Sequence, residues 1–167
     1  MSYTYLGSNI TSTRNLKEEV NSQITKASLI SGYLRDIIWR NKYMSLSSKV
    51  RIYKTCVRPI MTYGIETRAE NAETKRQLRT TEMRVLRHIA GYSLLDHKRN
   101  EEIRDICGIQ DVVRWARIRR RNWRDHVDRM PDNRLPKIAK TKRPNTARLP
   151  GRPPKRWYES WTSASQE

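Results

Sequence analysis

The sequence predicts a mainly α protein: a three-helix bundle, then basic helices, then a disordered basic C-terminal arm. Three observations carry this. Apolar residues recur at helical spacing from Leu16 onward, capping residues and glycines punctuate the runs, and the C-terminal part loses its period as Lys, Arg and Pro accumulate. The 167 residues hold 35 Lys and Arg against 17 Asp and Glu, a formal charge of +18. A hydrophobic share of 36% and a mean hydropathy of -0.90 are low for a self-sufficient globule, though not low enough for full disorder.

The elements follow in chain order. Residues 2–11 read as an extended segment, because Tyr3, Tyr5 and Ile10 are strand-prone and Gly7-Ser8-Asn9 is turn chemistry. From Leu16 to about Arg40 the period is helical, with Leu16, Val20, Ile24, Ala27, Leu34 and Ile38 on one face. Thr13 or Asn15 can cap this helix, and Glu18 and Glu19 suit its first turn. A second helix starts after Ser45, with Leu46, Val50, Tyr53, Val57 and Met61 as its stripe. Pro59 has no N–H for the ladder and must kink or end it, and Tyr63-Gly64 closes the segment. A third helix runs from about Asn71 to Ala90, where Leu78, Glu82, Val85, Leu86 and Ile89 share a face and Gly91 takes the left-handed position.

Beyond the bundle, Asn100 to Cys107 reads as a shorter helix ending at Gly108. Asp111 then caps a helix to about Met130, with Val112, Ala116, Trp123, Val127 and Met130 inward. Pro131 and Pro136 bracket a turn, and from Lys137 to Pro154 no usable period remains, so a mobile arm is expected. Trp157 and Trp161, four apart, suit one last helical turn that docks on another surface. The expected division is 1–13 as a lead segment, 14–95 as the bundle, 96–131 as a helical region with the basic helix, and 132–167 as the arm.

Most catalytic chemistry has no footing in these residues. There is no GxxxxGK[ST] loop, GxGxxG, CxxC or HExxH, and His88, His97, His126, Cys56 and Cys107 lack metal-ligand spacing. Nothing marks a nucleophile. Glu18-Glu19 and Glu101-Glu102 each sit at a helix start, where favourable interaction with the helix dipole explains them. No catalytic residue, cofactor, metal or small-molecule ligand is expected. No apolar run approaches the ~18 residues needed to span a bilayer, and the N-terminus has no signal-peptide pattern. The expectation is a nuclear or cytoplasmic protein, not secreted, with reduced thiols.

The charge is concentrated. Gln110 to Arg156 holds 16 Lys and Arg against 4 Asp and Glu, and Arg114 to Arg129 alone holds seven Arg with two acids. Such a helix can bind nucleic acid, lie on an anionic membrane, or simply be solvated; the charge footprint favours nucleic acid. Arg117, Arg120, Arg121 and Arg124 are the expected phosphate-facing surface, with Arg152, Lys155 and Arg156 adding contacts from the arm. Gly151-Arg152-Pro153 with Lys155 and Arg156 resembles an AT-hook core. Pro150 stands where that motif has its first Arg, so a phosphate-contacting arm is favoured over an A·T reader.

Several blocks, in order, resemble the end of the reverse transcriptase of non-LTR (LINE-type) retrotransposons. They are Tyr5-Leu6-Gly7-Ser8-Asn9-Ile10-Thr11, Leu46 through Glu66, Glu82 through Gly91, Arg99 through Arg104, Trp123 with His126-Val127 and Arg129-Met130, and Gly151 through Trp157. They cover nearly the whole chain. Arg68, Asp125 and Pro150 depart from that family's usual Trp, Gly and Arg. The resemblance implies that Tyr5, Leu6 and Gly7 form a primer-grip-like turn and that residues 16–91 are thumb-like. It also implies that the catalytic aspartates, with the Mg²⁺ they hold, belong to a palm upstream of Met1. No Asp-Asp pair occurs in the chain. The function so implied is a nucleic-acid-binding fragment of an RNA-directed DNA polymerase, not an enzyme on its own, whose partners are RNA or DNA and a separate or upstream palm. The alternative is a domesticated or remnant helical protein-interaction module.

Overall fold

The computed structural model describes residues 2–11, 16–68 and 71–142, together with Gly151. The fold is mainly α. A short hairpin leads into it: β1 (Ser2–Tyr5) pairs antiparallel with β2 (Ser8–Thr11), Tyr3 opposite Ile10 and Tyr5 opposite Ser8. Leu6 and Gly7 form the two-residue turn with φ of 46° and 80°. Two successive positive φ angles are the type I′ pattern, whose twist matches that of the strands. Glycine takes that conformation freely; a leucine there is strained.

Helix α1 (Leu16–Leu34) follows and continues through a wide π turn, Arg35–Trp39. From Val20 onward its inward face is the expected one: Val20 and Ala27 are buried, and Ile24, Leu34 and Ile38 are partly so; the Leu16 side chain lies outside what the structure describes. The π turn carries Trp39 into the core, where its indole N–H donates to the Ser31 carbonyl at 3.0 Å. Helix α2 (Leu46–Ile52) starts at Ser45, whose hydroxyl accepts from the Ser48 amide. It runs on through a second π turn, Tyr53–Val57, into the short α3 (Arg58–Met61) with Pro59 in its first turn. Widening the helix just before Pro59 accommodates the missing donor and keeps the ring off the preceding turn.

Helix α4 (Ala72–Ala90) is the centre of the molecule. Asn71 and Thr74 close a reciprocal cap at its start, and Gly91 ends it at φ 77°. It packs against α1 and α2 on one side and against α5 (Asn100–Cys107) and α6 (Val112–Asp128) on the other. Gly108 and Asp111 end α5 and start α6 as the sequence predicts. One buried cluster takes in Leu86 and Ile89 of α4, Ile103 and Cys107 of α5, and Val112 and Ala116 of α6. The division expected at 95/96 therefore does not separate two cores among the described residues. Trp123 and Met130, expected inward, are only half-buried.

The arm expected from 132 begins with structure instead. Helix α7 (Leu135–Thr141) has Pro136 in its first turn, where a missing N–H costs nothing. Its Lys137 ammonium donates to the Asp128 carbonyl, and Lys140 pairs with the Asp128 carboxylate. A proline read from sequence as the edge of a turn is here a helix start. The rest of the expected arm, with Trp157 and Trp161, lies outside the described residues save Gly151.

Under the core lies a buried polar network. Glu82 is fully buried, and its carboxylate accepts from the Tyr53 hydroxyl at 3.0 Å, the Arg58 guanidinium at 3.3 Å and the Val112 amide at 3.0 Å. Arg104 approaches the same carboxylate at 3.7 Å. Burial pushes this carboxyl above its ordinary value, and the surrounding donors pull it back. Burial also raises the Tyr53 phenol. The network ties the π turn after α2, and α3, α5 and α6, to α4 through one side chain.

Candidate nucleic-acid interface

Helix α4 is amphipathic, and burying its apolar stripe turns a basic stripe outward. Arg76, Arg79, Arg84 and Arg87 lie along about 16 Å of helix axis. The π turn at the end of α1 brings Arg35 and Arg40 opposite them. Between these walls is a cleft of about 1000 Å³, lined also by the buried Trp39 and Met83 and by His88, Gly91, Tyr92 and Leu94. Its lining contains no Asp or Glu. The acids that balance it approach from outside: Asp36 pairs with Arg40 at 2.9 Å, Glu73 with Arg76 at 3.0 Å and Asp111 with Arg79 at 2.9 Å. Arg35 and Arg84 make no ion pair among the described residues.

His88 reports the local field. It is half-buried, and burial together with the charges of Arg35, Arg84 and Arg40 holds its imidazole below the usual histidine range. A field that disfavours one more proton favours an anion. Arg87 is pinned differently, donating to the Lys98 carbonyl at 3.1 Å and to Asn100 Oδ1 at 2.8 Å.

The basic helix expected from sequence is α6, and the structure divides its arginines. Arg121 is exposed and Arg117 half-buried. Arg124 is half-buried, with its Nε 3.3 Å from Asp125 Oδ1. Arg120 is corrected: it is 3% exposed and its Nε donates to the Ile65 carbonyl at 2.9 Å. It joins α6 to the turn after α3 and does not face a phosphate. Arg119, crowded onto the same helix, pairs with Glu66 at 3.2 Å and lies over the Trp115 ring, with Arg58 on that ring too. Arg152, Lys155 and Arg156 lie outside the described residues.

The turn of Tyr5, Leu6 and Gly7 is docked on the bundle. The Tyr63 hydroxyl donates to the Leu6 carbonyl at 2.6 Å, and the Gln23 side-chain amide donates to the Gly7 carbonyl at 3.3 Å. The Leu6 side chain stays outside, 74% exposed. For Tyr5 the backbone pairing with Ser8 is described. An exposed leucine held at positive φ by two tethers is a rigid presentation that packing alone does not require.

Sequence reasoning missed the cleft because its arginines come from two segments. A signal was present: Arg76, Arg84 and Arg87 share one broad helical face, away from Leu78 and Ile89, with Arg79 at its edge. What no periodicity gives is the position of Arg35 and Arg40 across from them. Among the described residues no helix is long and apolar enough to cross a membrane. Both cysteines are free, Cys56 exposed and Cys107 buried, and burial pushes the Cys107 thiol up to about 11.

No protein-family model and no solved structure matches this chain. It is 28% identical over 167 residues to an uncharacterised transposon-derived protein of Caenorhabditis elegans. The match covers 95% of this chain and 58% of that relative, so the chain spans a little over half of the relative's length and is similar, nearly end to end, to part of a transposon-derived protein.

Proposed function

We propose that this chain is the nucleic-acid-binding, thumb-side fragment of a retrotransposon reverse transcriptase. The observation that carries the binding is the acid-free cleft walled by Arg35, Arg40, Arg76, Arg79, Arg84 and Arg87. Convergent guanidinium groups suit a polyanion spaced along a backbone, since each offers paired donors to phosphate oxygens. The polymerase context is supported by the ordered sequence blocks and by a hairpin turn docked on α1 and on the turn after α3, and it is consistent with the transposon-derived relative.

The fragment binds and positions; it does not polymerise. Two-metal phosphoryl transfer needs carboxylates that hold both cations, and the chain has no Asp-Asp pair. Phosphates of the nucleic acid lie along α4, with further contacts from Arg117 and Arg121 of α6. The test is binding of the whole chain to labelled oligonucleotides over a salt series. A steep linear fall of log K with log salt is expected. Binding that is absent, or that does not respond to salt, overturns the reading. Purified chain with primer, template, nucleotides and Mg²⁺ or Mn²⁺ should extend nothing.

A further inference from the structure

The cleft has two kinds of surface, and the charge explains only one. Past its arginine wall the lining changes to Tyr92, Ser93 and Leu94, the first residues of the loop between α4 and α5. Leu94 is 77% exposed and Leu95 85%. The two adjacent leucines make a small apolar patch beside the arginine wall. The loop holding them is not slack. The Asp96 carboxylate accepts from the Ser93 amide at 2.6 Å and its hydroxyl at 2.8 Å, and the Leu95 amide donates to Ser93 Oγ at 3.2 Å. His97 sits at φ 50°, a strained conformation for a residue with a Cβ. Lys98 lies over one side of the Tyr92 ring at 5.8 Å. Leu94 is thus presented at the cleft by a hydrogen-bonded loop, with Leu95 exposed beside it.

We infer that the cleft is a site for unpaired nucleotides, with phosphates of one strand on the arginine wall and bases against Tyr92 and Leu94. The inference rests on the nucleic-acid reading above and names the class of nucleic acid. Two physical arguments favour it. A duplex hides its base faces by stacking, so it offers nothing to an exposed leucine unless a step is opened at a cost. An unpaired strand offers both a charged backbone and apolar faces, the same pair of chemistries that this cleft presents side by side. Size agrees: about 1000 Å³ is at the upper end of small-ligand sites, room for a few nucleotides, while a duplex could lay only one backbone across the rim.

The experiment compares a short labelled oligothymidylate strand with a blunt duplex of equal length, by fluorescence anisotropy of the whole chain at several salt concentrations. The strand is expected to bind about tenfold more tightly than the duplex at matched salt. Leu94→Ser should weaken strand binding about fivefold without changing the salt slope, and Leu94→Trp should tighten it. Arg84→Gln should flatten the strand's slope by about 0.7. Leu94 is exposed, so thermal melts of both its variants should match the wild type. A duplex that binds as tightly as the strand overturns the inference and leaves nucleic-acid binding standing. So do Leu94 variants that leave strand affinity unchanged. Loss of salt-dependent binding to both probes overturns the broader reading, and this inference falls with it.

Discussion

Helices α4 and α6 are both amphipathic and arginine-rich, yet the fold uses them differently. Arginine is denser on α6. There Arg120 is buried against the Ile65 carbonyl, Arg119 is engaged by Glu66 and Trp115, and Arg124 is held beside Asp125. On α4 four arginines face a cavity together with two more from the end of α1. Charge density along a sequence measures how many cations there are. Convergence on an empty volume decides which of them a ligand meets. The more basic helix is partly structural, and the less conspicuous one lines the cleft.

The largest expected effect lies beneath both helices. Glu82→Gln should cost about 3–5 kcal/mol, because Arg58 keeps its buried charge without a carboxylate, while the half-buried Arg104 retains Asp111 at 3.0 Å. Denaturant unfolding with a fitted midpoint measures this. A near-wild-type midpoint would mean that the network does not couple α4 to its neighbours.

Next come the two helices themselves, whose arginines should separate cleanly. Arg120→Met should lower stability by about 1–3 kcal/mol, since the Ile65 carbonyl loses its donor in a buried place. The salt slope of nucleic-acid binding should not move. The pair Arg35→Gln with Arg84→Gln should do the opposite, leaving the melt in place and reducing the slope by about 0.9 per lost contact on duplex DNA. If Arg120→Met flattens the slope while the double variant does not, the roles assigned to α4 and α6 are reversed.

A smaller effect is expected from Arg117→Gln with Arg121→Gln on α6. It should weaken binding to all sequences alike and flatten the slope by less than the α4 pair does. Equal effects would make the two faces one continuous surface.

The smallest expected effect is on pH dependence, and its sign is fixed. Burial and the charges of Arg35, Arg84 and Arg40 keep the folded His88 below its unfolded value. The folded state therefore prefers the neutral ring, and this contribution to stability is lost as pH falls from the unfolded value through the folded one. A bound phosphate offsets the arginine field and favours the protonated ring. Affinity should rise modestly as pH falls through and below the usual histidine range, and the His88 titration followed by NMR should move upward when nucleic acid is bound. A His88 midpoint unaffected by saturating oligonucleotide would place the ligand elsewhere.

Local chemistry was the legible part of this chain. The caps at Ser45, Asn71 and Asp111 and the left-handed ends at Gly91 and Gly108 depend on interactions within a few residues, which sequence spacing reports directly. The core stripes were legible for the same reason, a repeat of 3.6 matching a buried face. Pro136 was misread because a proline serves a turn and a first helical turn equally well, and the deciding contacts, Lys137 and Lys140 with Asp128, are made across the preceding loop.

By itself, then, the sequence determined a mainly α chain with strong excess positive charge, the starts of α2, α4 and α6 and the ends of α4 and α5. Tertiary structure alone decided which arginines line the cleft and which are buried. Arg120 and Arg121 are neighbours on one helix, one buried and one exposed, because a single step of about 100° turns a side chain from core to solvent. Arg35 and Arg84 lie 49 positions apart and face one cavity, because the π turn at the end of α1 packs beside the middle of α4.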